Sequence, residues 1–166
     1  LIVAMCNNRG IGDKNKLPWS FSSDMKYFSR ITRGSEKNAI IMGRKTFESI
    51  GKCLPGRTNI ILSRNSIINE EKSSCIFFKS LDLLIEHLND NDYENSWVIG
   101  GGDVYRALLD RNIVEEVYMT CIPGKYKCDT YFPKLENRYV EDEDWRNYEV
   151  SNGETITYKK FVLSGI

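Results

Sequence analysis

The run Ile40-Ile41-Met42-Gly43-Arg44-Lys45-Thr46-Phe47 passes from apolar residues through a glycine into a charged helix start. Its apolar half shows no polar alternation, so it reads as a strand covered on both faces, as in a parallel sheet packed between helices. Glycine lets the backbone come close to a ligand, and the helix behind it offers free N–H groups and a positive dipole end. Arg44 and Lys45 add charge at the same spot. A phosphate suits it; a solvated basic helix start is the other reading. A P-loop is excluded, because its first glycine would fall at Asn38.

Trp97-Val98-Ile99-Gly100-Gly101-Gly102-Asp103-Val104-Tyr105 repeats the design. Three glycines between a buried strand and a helix leave backbone bare for a pyrophosphate. The dinucleotide spacing Gly-x-Gly-x-x-Gly fails, because Tyr105 stands where the third glycine belongs. Tight-turn chemistry alone is the alternative. Two such sites in one small chain favour a ligand with two phosphate groups, such as a dinucleotide.

Outward from these runs, further β-rich stretches fall at residues 1–6, 58–63, 75–78, 114–122 and 155–163, with strands through 38–42 and 96–100. Amphipathic stretches cover 22–32, 45–50, 81–88 and 103–109. The alternation predicts an α/β fold: one domain over residues 1–166, with a mostly parallel central sheet, an antiparallel C-terminal strand and flanking helices. Residues 65–74 and 134–147 read as polar surface loops. The connection from Asn7 to Trp19 is long for a segment without its own structure, so it is a lid or a tolerated insertion.

A length of 166 residues suits one domain with a full core. The formal net charge is zero, which argues against nucleic acid as a partner. No apolar run reaches the roughly 18–20 residues that span a bilayer. The opening apolar residues lack the flanks of a signal peptide, and the missing initiator Met reads as a trimmed or processed start. Five cysteines, an odd number without Cys-x-x-Cys spacing, point to a reducing, cytoplasmic setting with thiols packed as small hydrophobes. His87 is the only histidine, which removes triad chemistry and most zinc sites; no metal is expected.

Asp24 shares one helical face with Phe28 and Ile31. It is either a partly buried site acid or a capping acid, with Ser22 and Ser23 as simpler caps. Burial would raise its pKa, and the helix N-terminus would lower it. Thr58-Asn59-Ile60-Ile61-Leu62-Ser63-Arg64 ends a strand with a hydroxyl and a guanidinium, where α/β sheets bind ligands. Arg57 stands at the strand's other end.

Taken in order, these segments resemble dihydrofolate reductase over nearly the whole chain. The run is Gly10-Ile11-Gly12, Leu17-Pro18-Trp19, Asp24 to Phe28, Met42-Gly43-Arg44-Lys45-Thr46, Leu54 to Arg57, Leu62-Ser63-Arg64, Gly100-Gly101 with Tyr105, and Cys128-Asp129-Thr130-Tyr131-Phe132-Pro133. The resemblance implies NADPH-dependent reduction of 7,8-dihydrofolate to tetrahydrofolate by a monomer that also takes folate-like inhibitors. Asp24 matches the acid that holds the amino-pyrimidine edge of the pterin, Thr120 its hydrogen-bond partner, and Trp19 a catalytic neighbour. Phe28, Met25, Ile50 and Leu54 match walls of the substrate cleft, with Ile2, Val3, Ala4 and Ile99 at its floor. Arg57 matches the arginine on the α-carboxylate of the glutamate tail.

On the cofactor side, Arg44, Ser63 and Arg64 match contacts to the 2′-phosphate, joined by Leu62 and Lys79. Gly43, Lys45 and Thr46 match the pyrophosphate side, as do Gly100, Gly101, Gly102, Asp103, Val104 and Tyr105. Ala4, Ile11, Gly12 and Leu17 match contacts towards the nicotinamide. Residues 8–19 match the closing loop, and Asp129 the acid that braces it. Gly100-Gly101 matches a cis peptide. Asp103, acidic at a phosphate site, and Met25, an adaptable wall, depart from the common pattern, and the loop 51–54 is shorter than in vertebrate members. A riboflavin-pathway NADPH reductase of the same architecture is the rival that needs neither Arg57 nor Asp24. A non-catalytic nucleotide-binding module is the rival from another class.

Overall fold

The computed structural model describes residues 1–64 and 75–165; the polar loop expected at 65–74 lies outside them. In chain order the elements are β1 (Ile2–Met5), β2 (Gly10–Gly12), α1 (Ser22–Arg33), β3 (Ala39–Gly43), α2 (Arg44–Ile50), β4 (Thr58–Leu62) and β5 (Cys75–Phe78). There follow α3 (Leu81–Asp90), β6 (Ser96–Gly100), α4 (Gly102–Asp110), β7 (Glu116–Cys121), β8 (Thr130–Tyr131), β9 (Tyr139–Glu141), β10 (Asn147–Ser151) and β11 (Glu154–Leu163). Among the described residues no helix is long and apolar enough to cross a membrane.

The α/β layering follows from the apolar strands. β3 runs parallel to β4 and β6, and β4 to β5, giving the order β5-β4-β3-β6. Side chains alternate across a strand. Ala39 and Ile41 therefore pack on one face with Leu84 of α3 and Leu108 of α4. Ile40 and Met42 pack on the other with Phe28 of α1 and Phe47 and Ile50 of α2. Covered on both faces, β3 has no place for a polar side chain, which is why its sequence lacks alternation. Fully burying each such side chain is worth about 1.5–3 kcal/mol.

A second ladder carries β1 parallel to β7, then β11 antiparallel to β7, with β10 and β9 both on β11. The late antiparallel portion is thus three strands rather than the single one expected. β1 lies against β6, and the buried Tyr105 hydroxyl closes that seam, 2.8 Å from the carbonyl oxygens of both Ile2 and Ile99.

Several expectations are corrected. The 7–19 connection has structure of its own: β2 pairs with β8, and Asp13 and Lys16 form a bridge. Residues 134–147 are not a plain loop, since they hold β9 and a 3-10 turn, Glu143–Trp145. Tyr139 anchors β9 by burying its ring and donating to the Val114 carbonyl at 2.7 Å. Neither Ser22 nor Ser23 caps α1; Phe21 holds the N-cap position, buried, with its carbonyl accepting from Met25 N–H. Cys53 and Cys75 are joined in a disulfide, so not all five cysteines are free. His87 is structural, its ring 2.7 Å from the Tyr93 hydroxyl.

Candidate active site

α1 brings its Asp24–Phe28 stripe against β1 and β7. Asp24 is only 7% exposed. Burial raises its pKa above the ordinary 3.8; the Thr120 hydroxyl bonded to the carboxylate pulls it back, and the charge of Glu149 pushes it up further. Thr120 is itself buried and sits on β7 opposite Ala4 of β1 and Tyr158 of β11. Of the two opposing effects on Asp24 in the sequence, burial wins. Trp19 packs beside this region with Cys6 and Phe21, its ring edge-on to Tyr126, and its buried indole N–H has no acceptor among the described residues.

Ile2, Phe28, Ile50, Leu54 and Ile99 belong to one apolar cluster, which joins β1, α1, α2 and β6. Ala4 lies next to it, packed with Trp19 and Tyr27. Met25 is 56% exposed at the rim. Val3 is not brought to this face: strand alternation turns its side chain into the opposite core, among the residues of α3 and α4. Only its backbone is left for a ligand.

Arg57 is buried and held. Nε donates to the Pro55 carbonyl at 2.9 Å and Nη1 to the Thr32 hydroxyl at 3.0 Å, while that hydroxyl donates to the Phe28 carbonyl at 2.8 Å. Desolvation first, then nearby Arg33, makes its charge costlier than usual. Its Nη2 group has no protein acceptor among the described residues. Sequence reading missed Thr32, although it continues the Asp24–Phe28 stripe by one more i+4 step. It also missed Asn59, a wholly buried amide in an apolar strand. Asn59 accepts from Leu54 N–H at 2.8 Å and donates to the Leu54 and Arg57 carbonyls at 2.9 and 3.0 Å.

Strand register gathers the other set. Leu62 is opposite Gly43 and Phe78, and Met42 is opposite Gly100. The C-terminal ends of four parallel strands therefore stand side by side, and Arg44, Ser63, Arg64 and Lys79 follow directly on them. Glycine is required here for space. A Cβ on Gly43 would come within 3.0 Å of Val104, and one on Gly102 within 3.1 Å of Thr130 and 3.3 Å of the Tyr131 carbonyl. The Thr46 hydroxyl lies over the Gly100-Gly101 peptide, which is cis. Gly43 and Gly101 start α2 and α4 with extended backbone and no side-chain cap, so among the described residues the first N–H groups of both helices lack a capping side chain.

Lys45, Arg64, Lys79 and Asp103 are exposed. Arg44 is not idle, since it pairs with Glu48 at 3.0 Å, an i,i+4 contact its helix spacing allows. Val104 and Tyr105 are turned into the core, and the Tyr105 hydroxyl is engaged at the β1–β6 seam. They support this site from beneath rather than offering side chains to it.

Ile11 and Gly12 are half-buried on β2, with Ile11 close to Gly102; Leu17 is exposed further along the loop. Asp129 braces the loop, its carboxylate accepting from Lys14 N–H at 2.9 Å and its own N–H donating to the Gly12 carbonyl at 2.9 Å. The Lys14 N–H and the Thr130 hydroxyl hold that carboxyl below its ordinary pKa. The loop also reaches α2, where Ser49 donates to the Asn15 carbonyl at 2.6 Å.

The structure thus sets glycine-rich ends of parallel strands, with two uncapped helix starts, in the same α/β domain as a buried carboxylate and an apolar cluster. The sequence matches the model of the dihydrofolate reductase family over residues 1–163. It is 34% identical to a dihydrofolate reductase of Aedes albopictus, over 96% of this chain and 92% of that one. It is 36% identical to one from Haemophilus influenzae, over 92% and 90%. It is 39% identical to a bifunctional dihydrofolate reductase-thymidylate synthase of Arabidopsis thaliana, over 82% of this chain and 26% of that longer one. The chain belongs to the dihydrofolate reductase family.

Proposed function

We propose that residues 1–166 work as one catalytic domain, a cytoplasmic monomer that reduces 7,8-dihydrofolate to 5,6,7,8-tetrahydrofolate with NADPH. The observation that carries the reading is the buried Asp24 beside Thr120, on the same helix as Phe28, which packs in one apolar cluster with Ile50 and Leu54.

The fit for the cofactor rests on the cradle. Gly43 and Gly102 leave backbone where a Cβ would crowd its neighbours, Gly100 sits at a positive φ that other residues rarely adopt, and two uncapped helix starts face the same strand ends. Thr46, Lys45 and the first N–H groups of α2 and α4 hold the pyrophosphate. Arg44, Ser63 and Arg64 hold the 2′-phosphate, with Leu62 and Lys79 beside them. Ala4, Ile11, Gly12 and Leu17 cover the nicotinamide end. NADPH, when bound, supplies the hydride that reduces pterin C6.

The chain's own residues do the rest. Asp24 binds the amino-pyrimidine edge and favours a proton on pterin N5, delivered by water that the 8–19 loop admits. Thr120 orients the carboxylate. Trp19 walls the site with its indole N–H free for a water. Phe28, Met25, Ile50, Leu54, Ile2, Ile99 and the Val3 backbone shape the pterin slot and exclude bulk water. Arg57 offers Nη2 to the tail carboxylate from a guanidinium already fixed by Thr32 and Pro55.

Mixing the protein with NADPH and dihydrofolate tests the proposal. Loss of NADPH absorbance that requires dihydrofolate is the expected result. Turnover of a ribosyl-pyrimidine instead would favour the riboflavin-pathway rival. Binding without turnover would favour a nucleotide-binding module.

A further inference from the structure

Cys53 lies in the short connection between α2 and β4, and Cys75 is the first residue of β5. Their Cα atoms are 6.0 Å apart, within the span a disulfide needs, and the bond between them is formed. The neighbourhood explains why they meet. Asn59 pairs in register with Cys75 on the adjoining strand, and the Asn59 side chain binds Leu54 through two hydrogen bonds. Cys53 is therefore carried to the start of β5 by its own neighbour.

We infer that Cys53 and Cys75 form a reversible thiol–disulfide site that sets how firmly the 51–57 loop is held against the dihydrofolate cleft. The inference rests on the function proposed above. On one side of Cys53, Leu54 and Arg57 are tied to β4 by Asn59. On the other, Gly51 ends α2 in the left-handed region, with open space around it. Among the described residues the disulfide is the only covalent tie across this connection, and Ile50 and Leu54, on either side of the 51–53 segment, pack in the apolar cluster. Opening it lets the 51–53 segment pivot at Gly51 and frees the spacing of that wall. The cofactor cradle lies elsewhere, since Phe78 and Lys79 leave β5 at its opposite end.

Both sulfurs belong to half-buried residues, within reach of small thiol reagents, whereas Cys6 is buried. The oxidant is a low-molecular-weight disulfide. One cysteine thiolate attacks it, releasing one small thiol and leaving a mixed disulfide; the second cysteine attacks that, releasing the other small thiol. Two protein S–H bonds and one small S–S bond become one protein S–S bond and two small S–H bonds. The protein loses two electrons and the small disulfide gains them. Excess dithiol reverses the exchange.

The test compares wild type in glutathione disulfide with wild type in dithiothreitol, with non-reducing peptide mapping in both. The Cys53–Cys75 peptide should appear only in the first. The KM for dihydrofolate should be roughly two- to tenfold higher after reduction, the cost of ordering a loop wall on binding, with the Kd of NADPH unchanged. Cys53→Ser and Cys75→Ser should each show the higher KM in both buffers. Absence of the linked peptide under oxidising conditions overturns the inference. So does an unchanged KM with the link present, or an equal shift in NADPH affinity. If neither state turns over dihydrofolate, it is the proposed function that fails, and the gating role falls with it.

Discussion

The Thr120 hydroxyl on β7 lies close enough to the Asp24 carboxylate on α1 to favour its charged form, which places the acid beside the strand that β1 and β11 flank. Burial outweighs that effect and the pKa stays raised. Function and stability therefore pull apart at this position.

Asp24→Asn should stabilise the protein at neutral pH. The folded pKa of Asp24 lies above the ordinary 3.8 that holds in the unfolded chain. Between those two values the folded state binds more protons, so stability falls as pH climbs through that window. Asn does not titrate and escapes the loss. Urea midpoints measured against pH should coincide for the two proteins below 3.8 and separate above it, with the variant more stable. A wild type that gains stability over that range relative to the variant would mean that Thr120, not burial, governs the carboxylate.

Arg57→Leu should weaken dihydrofolate and spare a dihydropterin that lacks the glutamate tail. A charge-assisted hydrogen bond is worth about 1.5–3 kcal/mol, roughly ten- to a hundredfold in KM. Thr32→Val keeps the charge but removes the acceptor that orients Nη1. It should cost less, and again only with the tailed substrate. KM values for both substrates decide it; equal losses would make Arg57 a structural residue that closes the end of β4.

The alternating pattern was legible where burial is complete. β3, β4 and β6 have apolar sequences because both faces are covered, and α1 declares itself through the spacing of Asp24 and Phe28. What escaped were contacts made across the fold. β2 and β8 are three- and two-residue strands whose pairing rests on backbone bonds that carry no side-chain signature. β10 is exposed along nearly its whole length, so no periodicity marks it, although Asn152-Gly153, both at positive φ, is the hairpin turn that announces it. The disulfide escaped because cysteine parity and spacing describe the chain, while Asn59 brings Cys53 to Cys75 in space. Val3 and Tyr105 fall on site segments, but their side chains alternate away into the core, which a segment-by-segment match does not register.

On the proposed function, Glu48 competes with the cofactor's 2′-phosphate for Arg44. Their exposed i,i+4 pair is worth about 0.3–0.5 kcal/mol, against about 1.5–3 for a charge-assisted bond to a phosphate. The phosphate should win, and Arg44 should leave Glu48 on binding. Arg44→Leu should weaken NADPH by roughly tenfold or more and leave NADH nearly untouched. Glu48→Gln removes the competitor and should tighten NADPH about twofold at low salt, fading as salt rises. Titrations with both cofactors check this, and equal losses for NADPH and NADH in Arg44→Leu would remove Arg44 from the 2′-phosphate.

On the proposed function, Asp24 carries the chemistry. No histidine stands near the cleft, since the single one is bound to Tyr93 and Asn91 on α3. Asp24 is the buried carboxylate that the proposed function assigns to the pterin, and Asn in its place keeps the size and one acceptor while removing the charge. General acid–base contributions are typically about 10²–10⁴-fold, so hydride transfer at neutral pH should slow by that order. NADPH affinity should hold, because the cradle is built from other strand ends. The variant should recover as pH falls, when solvent protonates the substrate before hydride arrives. Wild type should lose rate as pH rises past the apparent pKa of its site, as the proton delivered to N5 becomes scarcer. Hydride-transfer rates against pH for both proteins are the measurement. A variant that keeps the wild-type rate at neutral pH would remove Asp24 from the mechanism, whatever its burial suggests.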